Sequence, residues 1–243
     1  MTDTVILPIM ENPPKQNFPH FPGLIAIGHC CGGVRARGVV DERYIPKLSL
    51  LLATIHNTQA ANPGQKIVVF SVGDCDHFCN EDEAALYGQI RDAVDDYIIV
   101  TGKRPPHQLG AHIIVKAAIR YAIGHQYQLM QFQNDDCWNT VFRIVDMSFA
   151  HLVDQGLKYF GMQTHESNEI CSLQFVCDPR AWEDFLPLVM RPEETLEKVM
   201  YRYVTEYNIP YELVPLNGPG LHWLHIGHLS YYAGKLQDTS SKA

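Results

Sequence analysis

Between Leu24 and Gln133 short apolar runs alternate with segments of helical periodicity, and no other feature of the chain narrows its fold so much. Strands are expected at Leu24 to Gly28, Lys66 to Val72, Tyr97 to Thr101 and Gln128 to Gln133. Helices are expected between them at Ile45 to Asn57, Glu81 to Ala93 and Gly110 to Ile123. Strands separated by helices cannot pair as hairpins, so the pattern calls for a largely parallel sheet wrapped by helices. Farther on, a helix is expected at Val141 to Gln155, strands near Lys158 to Met162 and Ser172 to Cys177, a helix at Pro192 to Tyr207 and a strand near Tyr211 to Pro215.

Residues 1–23 carry a proline-rich stretch that suits an extended arm. A single domain is expected over 24–235, with lobes at 24–138 and 139–235, and a polar tail over 236–243. Nineteen basic residues against twenty-seven acidic ones give a formal charge of −8, which disfavours a broad phosphate-binding face for nucleic acid. The apolar run Val5 to Ile9 is too short for a signal peptide or a membrane span, so a cytoplasmic protein is expected. Seven cysteines, an odd number, fit reduced thiols. Cys75, His77 and Cys79 offer half of a zinc site with no matching second pair.

Open α/β sheets bind ligands beyond the carboxyl ends of their strands. Three polar segments fall there: Ser71 to Asp76, Thr101 to Pro106 and Asn134 to Trp138. In the third, Asp135 and Asp136 are adjacent carboxylates that repel unless screened, and a magnesium or manganese ion would screen them. The competing account is that one of them caps the next helix.

The order of these features resembles the nucleotide-binding half of GT-A glycosyltransferases, in particular the large inverting family with a DXD-type motif. Val69 to Asp76 is similar to the family's second-strand ending, with Ser71 in place of the usual aspartate. The stretch from Gly110, Ala111 and His112 through Lys116, Ala117 and Ala122 to Gln133-Asn134-Asp135-Asp136 resembles its helix and DXD strand, with Asn134 in the first acidic position. The resemblance implies a GT-A-like (Rossmann-like), mostly parallel twisted sheet flanked by helices, in a single domain with nucleotide and acceptor lobes.

It further implies a metal-dependent hexosyl-type transfer from a nucleotide-sugar, with a UDP-sugar as the guessed donor, to a hydroxyl acceptor with inversion. Asp136 would bind manganese or magnesium, with Asp135 on the ribose or as a second metal contact. Ser71, Gly73, Asp74 and Gly110 would line the nucleotide, and Lys103, Arg104 and Lys116 would face the diphosphate. Glu194, with Glu193 beside it, would take the acceptor's proton, although Arg191-Pro192-Glu193-Glu194 also reads as an ordinary helix start. In the carboxy-terminal run Gly218 to Tyr232, His225, or else His228, would close the metal site. Two other readings stand beside this one: a sugar-nucleotidyltransferase, for which Gly32 to Gly38 would serve as the glycine-rich loop, and a non-catalytic nucleotide-sugar-binding module. The acceptor class stays open among glycan, small molecule and modified nucleic acid.

Overall fold

The computed structural model describes residues 19–30, 44–73, 81–102, 107–139, 142–164, 169–191, 193–215 and 223–225. The first half follows the sequence pattern: β1 (Leu24–Cys30), α1 (Tyr44–Ala61), β2 (Lys66–Val72), α2 (Glu81–Ala93), β3 (Asp96–Thr101), α3 (His107–Gly124) and β4 (Met130–Asn134). A short strand β5 (Cys137–Asn139) follows, then α4 (Ile144–Asp154), β6 (Tyr159–Gln163), β7 (Ile170–Cys177), a 3-10 segment at Pro179–Phe185, α5 (Leu196–Glu206), β8 (Tyr211–Pro215) and β9 (Trp223–His225).

Seven strands among the described residues form one sheet in the order β3-β2-β1-β4-β7-β6-β8. β1 pairs in parallel with both β2 and β4, and β2 with β3. β7 runs antiparallel to β4 and β6, and β6 is parallel to β8. The sheet is therefore mixed, parallel on one side and broken by β7 on the other, and helices cover both of its faces.

The period-2 alternation of the strands sorts side chains between two cores. Leu24, Ala26, Val68 and Phe70 meet α3, α5 and the 3-10 segment through Val115, Ala118, Ile119, Trp182, Phe185 and Tyr203. Ile25, Ile27, Ile67 and Val69 face Leu48, Leu51 and Ile55 of α1, Tyr87 and Ile90 of α2, and Phe149 of α4. In α3 the buried residues Val115, Ala118, Ile119 and Ala122 recur at i, i+3, i+4 and i+7, which fixes the face the helix turns to the sheet. That helix lies close: a Cβ on Gly28 would come within 2.7 Å of Phe132 Cζ and 3.1 Å of Ile114 Cγ2.

The second half departs from the pattern at helix starts. The helix expected from Pro192 begins only at Leu196, because Thr195 adopts an extended conformation and its hydroxyl accepts from Lys198 N at 3.3 Å. Glu193 just before it has φ 66°, a left-handed conformation that α-helix cannot propagate. The helix expected from Val141 likewise starts at Ile144, preceded by Arg143 at φ 58°. Strands β5 and β9 and the 3-10 segment have no counterpart in the sequence pattern, since three-residue strands are too short to show alternation.

α3 also carries a titration consequence. His112 is buried against Phe185 with Nε2 3.3 Å from the Leu188 carbonyl. Its Nδ1 has no hydrogen-bond partner among the described residues. Burial, and secondarily the Lys116 charge, lower its pKa from 6.5 to about 4. In the unfolded chain the ring binds a proton near its ordinary value, so stability is level above that pH, falls as pH drops toward the folded value, and levels off below it. The loss should amount to about 2–3 kcal/mol. Urea midpoints at pH 7 and pH 4.5 check this, and His112→Gln should remove most of the difference between them.

Candidate functional site

β1, β2 and β4 end together at one edge of the sheet, and the Asp135–Asp136 turn joins β4 to β5 at that edge. What holds the turn is a polar stripe on α1. Thr54 Oγ1 donates to the Asp135 carbonyl at 2.6 Å and accepts from Trp138 Nε1 at 3.0 Å. Asn57 clamps the backbone of Asn139 from both sides, its Oδ1 accepting from Asn139 N at 2.7 Å and its Nδ2 donating to Asn139 O at 3.0 Å. Arg143 N then reaches the carbonyl of Ala61. Residues 135, 139 and 143 thus descend α1 in step with Thr54, Asn57 and Ala61, one helical turn at a time.

Beneath the turn Gln133 Nε2 donates to Thr58 Oγ1 at 2.9 Å and to Cys137 O at 3.2 Å, and Gln131 Nε2 donates to Gln133 Oε1 at 2.8 Å. Gln174 Nε2 adds a bond to Asn139 Oδ1 at 3.3 Å. Buried amides are costly unless paired, so this network specifies one position for the turn.

Asp135 is gripped from three sides. Its N–H donates to Gly28 O at 3.0 Å, its carbonyl accepts from Thr54, and its Oδ2 meets Nδ1 of His29, a residue with no solvent exposure. Asp136 is partly exposed at the tip. Cys137, next in sequence, is buried, and burial followed by the Asp136 charge pushes its thiol well above the ordinary value, so it stays protonated and is no thiolate ligand. Strand β9 returns to pair antiparallel with β5, with Cα partners Cys137↔His225, Trp138↔Leu224 and Asn139↔Trp223. His225 therefore occupies a register position one residue from Asp136.

The other expected site residues are placed as follows. Ser71 is buried at the end of β2, in register with His29, and lies beneath the surface. Gly73 turns the chain out of β2 at φ 75°, its N–H donating to Thr101 O at 2.8 Å. Gly110 is buried in the first turn of α3. Lys116 lies nine residues into that helix, about 14 Å from its start. Its ammonium donates to the Leu188 carbonyl, and burial, then the Arg120 charge, lower its pKa.

Glu194 accepts from Arg202 Nε at 2.9 Å and Nη2 at 3.1 Å and from Arg191 N at 2.9 Å. Burial works to raise its pKa, but the Arg202 and Arg191 contacts outweigh that and hold the carboxyl below its usual range. Glu193 is exposed on the turn before it. Leu196 N donates to Gln108 Oε1 in the first turn of α3, so both glutamates stand near the amino end of that helix. Asp74, Cys75, Asp76, His77, Cys79, Lys103, Arg104, His228 and the Gly32 to Gly38 loop lie outside the described residues.

Sequence reasoning missed His29, Thr54, Asn57 and Thr58. A signal existed: polar residues at 54, 57 and 58 recur at helical spacing on a helix whose apolar residues also face inward.

No family model matches the chain, and no curated protein matches it in sequence. Its fold is similar to that of a nucleotide-diphospho-sugar transferase from Desulfovibrio desulfuricans G20, at TM-score 0.53 and 10% identity over 81% of this chain and 80% of that one. It is also similar to a mannosyltransferase from Pyrobaculum calidifontis in complex with GDP-Man and Mn2+, at TM-score 0.52 and 9% identity over 81% of this chain and 56% of that one. A cytidylyltransferase from Leptospira borgpetersenii serovar Hardjo-bovis is a third, at TM-score 0.50 and 12% identity over 83% and 79%. The likeness is one of fold: a mostly parallel mixed sheet flanked by helices, similar to that of nucleotide-diphospho-sugar transferase-type structures. No helix among the described residues is long and apolar enough to cross a membrane.

Proposed function

We propose that the protein is a divalent-cation-dependent glycosyltransferase that moves a sugar from a nucleotide-sugar to a hydroxyl acceptor with inversion. The observation that carries this reading is the pairing of β5 with β9, which brings His225 into register beside the Asp135–Asp136 turn at the carboxyl edge of the sheet. Among the described residues no three His, Cys, Asp or Glu side chains form a closed metal cage. A magnesium- or manganese-type centre needs none, because it takes one or two carboxylates and fills its remaining positions with phosphate and water. The oxygen donors of Asp136 and Asp135 fit such an ion, and in this reading His225, whose register position is opposite Cys137, or else His228, would complete its ligands. When bound, it would supply charge neutralisation for the leaving diphosphate.

The chain's own groups do the rest. Asp135, immobilised by its neighbours, orients the ribose. Gly73 and Asp74 after β2, with the Gly110 turn of α3, receive the nucleoside, and Arg104 after β3 approaches the diphosphate. Glu193 accepts the acceptor's proton in this reading, because Glu194 is ion-paired with Arg202 and is thereby a weak base. Glu194 instead holds the turn on which Glu193 stands in its left-handed conformation. Cys137, Cys171 and Cys177 are buried free thiols, which fits a reducing, cytoplasmic setting.

A second reading, sugar-nucleotidyl transfer, is favoured by the coverage of the cytidylyltransferase, 79% of whose chain is matched against 56% of the mannosyltransferase. Incubation with Mn2+ and a panel of nucleotide-sugars, with release of nucleoside diphosphate as readout, tests the first reading. Pyrophosphate release from a nucleoside triphosphate and a sugar phosphate would replace it with the second. Metal-dependent nucleotide binding with neither product would leave a binding module. Under the first reading Glu193→Gln should lose transfer to acceptor by about 100-fold or more while keeping donor binding.

A further inference from the structure

Along β1 the residues on the α1 face run Ile25, Ile27, His29, the first two in the apolar core. The alternation calls for a third apolar side chain at the strand's end, and an imidazole with no solvent exposure stands there instead. A buried imidazole is costly unless paired, and its Nδ1 pairs with Asp135 Oδ2 across to the end of β4. An ionised carboxylate only accepts hydrogen bonds, so Nδ1 carries the proton in this contact.

The remaining polar groups of Asp135 are disposed so that one atom is left facing outward. Its N–H goes to Gly28, its carbonyl to Thr54 and its Oδ2 to His29, while the side chain keeps 19% of its surface exposed. Among the described residues no hydrogen bond engages Oδ1. The side chain cannot rotate without giving up the His29 bond, and a buried polar contact is costly to break.

We infer that His29 is a positioning residue: sealed beneath the site, it locks the Asp135 carboxylate so that Oδ2 is held by the protein and Oδ1 is presented to the nucleotide or its cation. This rests on the reading of this edge as a nucleotide-sugar site. It divides the labour between the two aspartates. Asp135 is the preset, immobile acceptor, and Asp136 is the partly exposed carboxylate at the tip of the turn.

The test uses the full chain and calorimetric titration of uridine, guanosine and cytidine diphosphates in Mn2+, beside thermal melting of each variant. His29→Ala should weaken metal-dependent nucleotide binding by about 10- to 100-fold, the usual cost of removing a partner behind a ligating group. His29→Asn should bind within about 3-fold of the wild type, because its amide nitrogen reaches nearly the place of Nδ1. If His29→Ala does not fold, His29→Gln takes its place, since its amide falls nearer the position of Nε2 and cannot serve Asp135 in the same way. Wild-type affinity in His29→Ala or His29→Gln overturns the inference, as does a loss in folded His29→Asn equal to that in the other variant. Absence of binding by the wild type to any of the three nucleotides overturns the nucleotide-site reading itself and this inference with it; binding by the wild type isolates the question of His29.

Discussion

Asp136→Ala should abolish Mn2+-dependent nucleotide binding, with affinity falling by about 100-fold or more and any transfer activity falling with it. Among the described residues no neighbour can take over. Asp135 is tied through Oδ2 to His29 and through its backbone to Gly28 and Thr54, so it cannot swing into the vacated place. Cys137 is buried with its thiol held protonated, and its Sγ lies 3.4 Å from the Leu173 carbonyl. Because Asp136 is partly exposed on a turn and the network beneath it runs through Gln133, Asn139 and α1, the melting temperature should stay within a few degrees of the wild type. Isothermal titration in Mn2+ beside a thermal melt separates the two effects. Unchanged affinity in a folded variant would remove the carboxylate turn from the site and the proposed function with it.

Asp146→Ala should produce the largest loss of stability at the opposite edge of the sheet, about 3–4 kcal/mol. Asp146 is a buried carboxylate at the start of α4. Its Oδ2 accepts from Arg143 Nε at 2.7 Å, and its Oδ1 from Gln65 Nε2 at 2.9 Å and Phe21 N at 3.2 Å, with His20 Nδ1 at 3.3 Å. Gln65 in turn accepts from Gly23 N at 3.1 Å and donates to Phe21 O at 2.8 Å. One carboxylate and one amide thereby staple residues 20–23 over the amino ends of β1 and β2. Truncation leaves the Gln65 amide and the Phe21 N–H short of a partner and releases Arg143, whose left-handed backbone is held in part by that ion pair. Asp146→Asn keeps an acceptor for Oδ1's partners and should cost about half as much. Urea unfolding at pH 7 measures both, and a loss under about 1 kcal/mol for the alanine variant would show the staple to be dispensable.

The first half of the fold was legible because each of its elements is long enough to show a period. α2 falls where the pattern put it, and β1 to β4 and α3 within a few residues, since burial on both faces makes parallel strands read as unbroken apolar runs. The second half blurred where local conformation overrode periodicity. Arg143 and Glu193, both at positive φ, delay two helices by three or four residues, and a left-handed arginine or glutamate has no sequence signature of the kind glycine provides. β7 looked like any apolar strand, and nothing in Ile170–Cys177 announces that it runs against β4.

The site divides in the same way. Asp135 and Asp136 stood out because two adjacent carboxylates at the end of an apolar run are chemically conspicuous wherever the chain goes. Glu194 stood out through the resemblance, yet its tie to Arg202 is made only because the turn before α5 folds back against that helix, on which Arg202 stands eight residues further along the chain. Lys116 looked available for a phosphate, and the structure spends its ammonium on a carbonyl from a loop more than seventy residues away.

By itself the sequence determined the alternation of strand and helix, the two apolar faces of β1 and β2, and the presence of a carboxylate pair at a strand's end, because each is a local pattern set by side-chain chemistry and periodicity. Tertiary structure alone decided that the chain after β4 descends the polar stripe of α1, that β9 comes back to lie on β5, and that a histidine from β1 reaches Asp135 across the sheet. Those contacts join segments 81 to 106 residues apart, and their free energy comes from pairing polar groups that burial has already cut off from water, a condition that exists only once the core has closed.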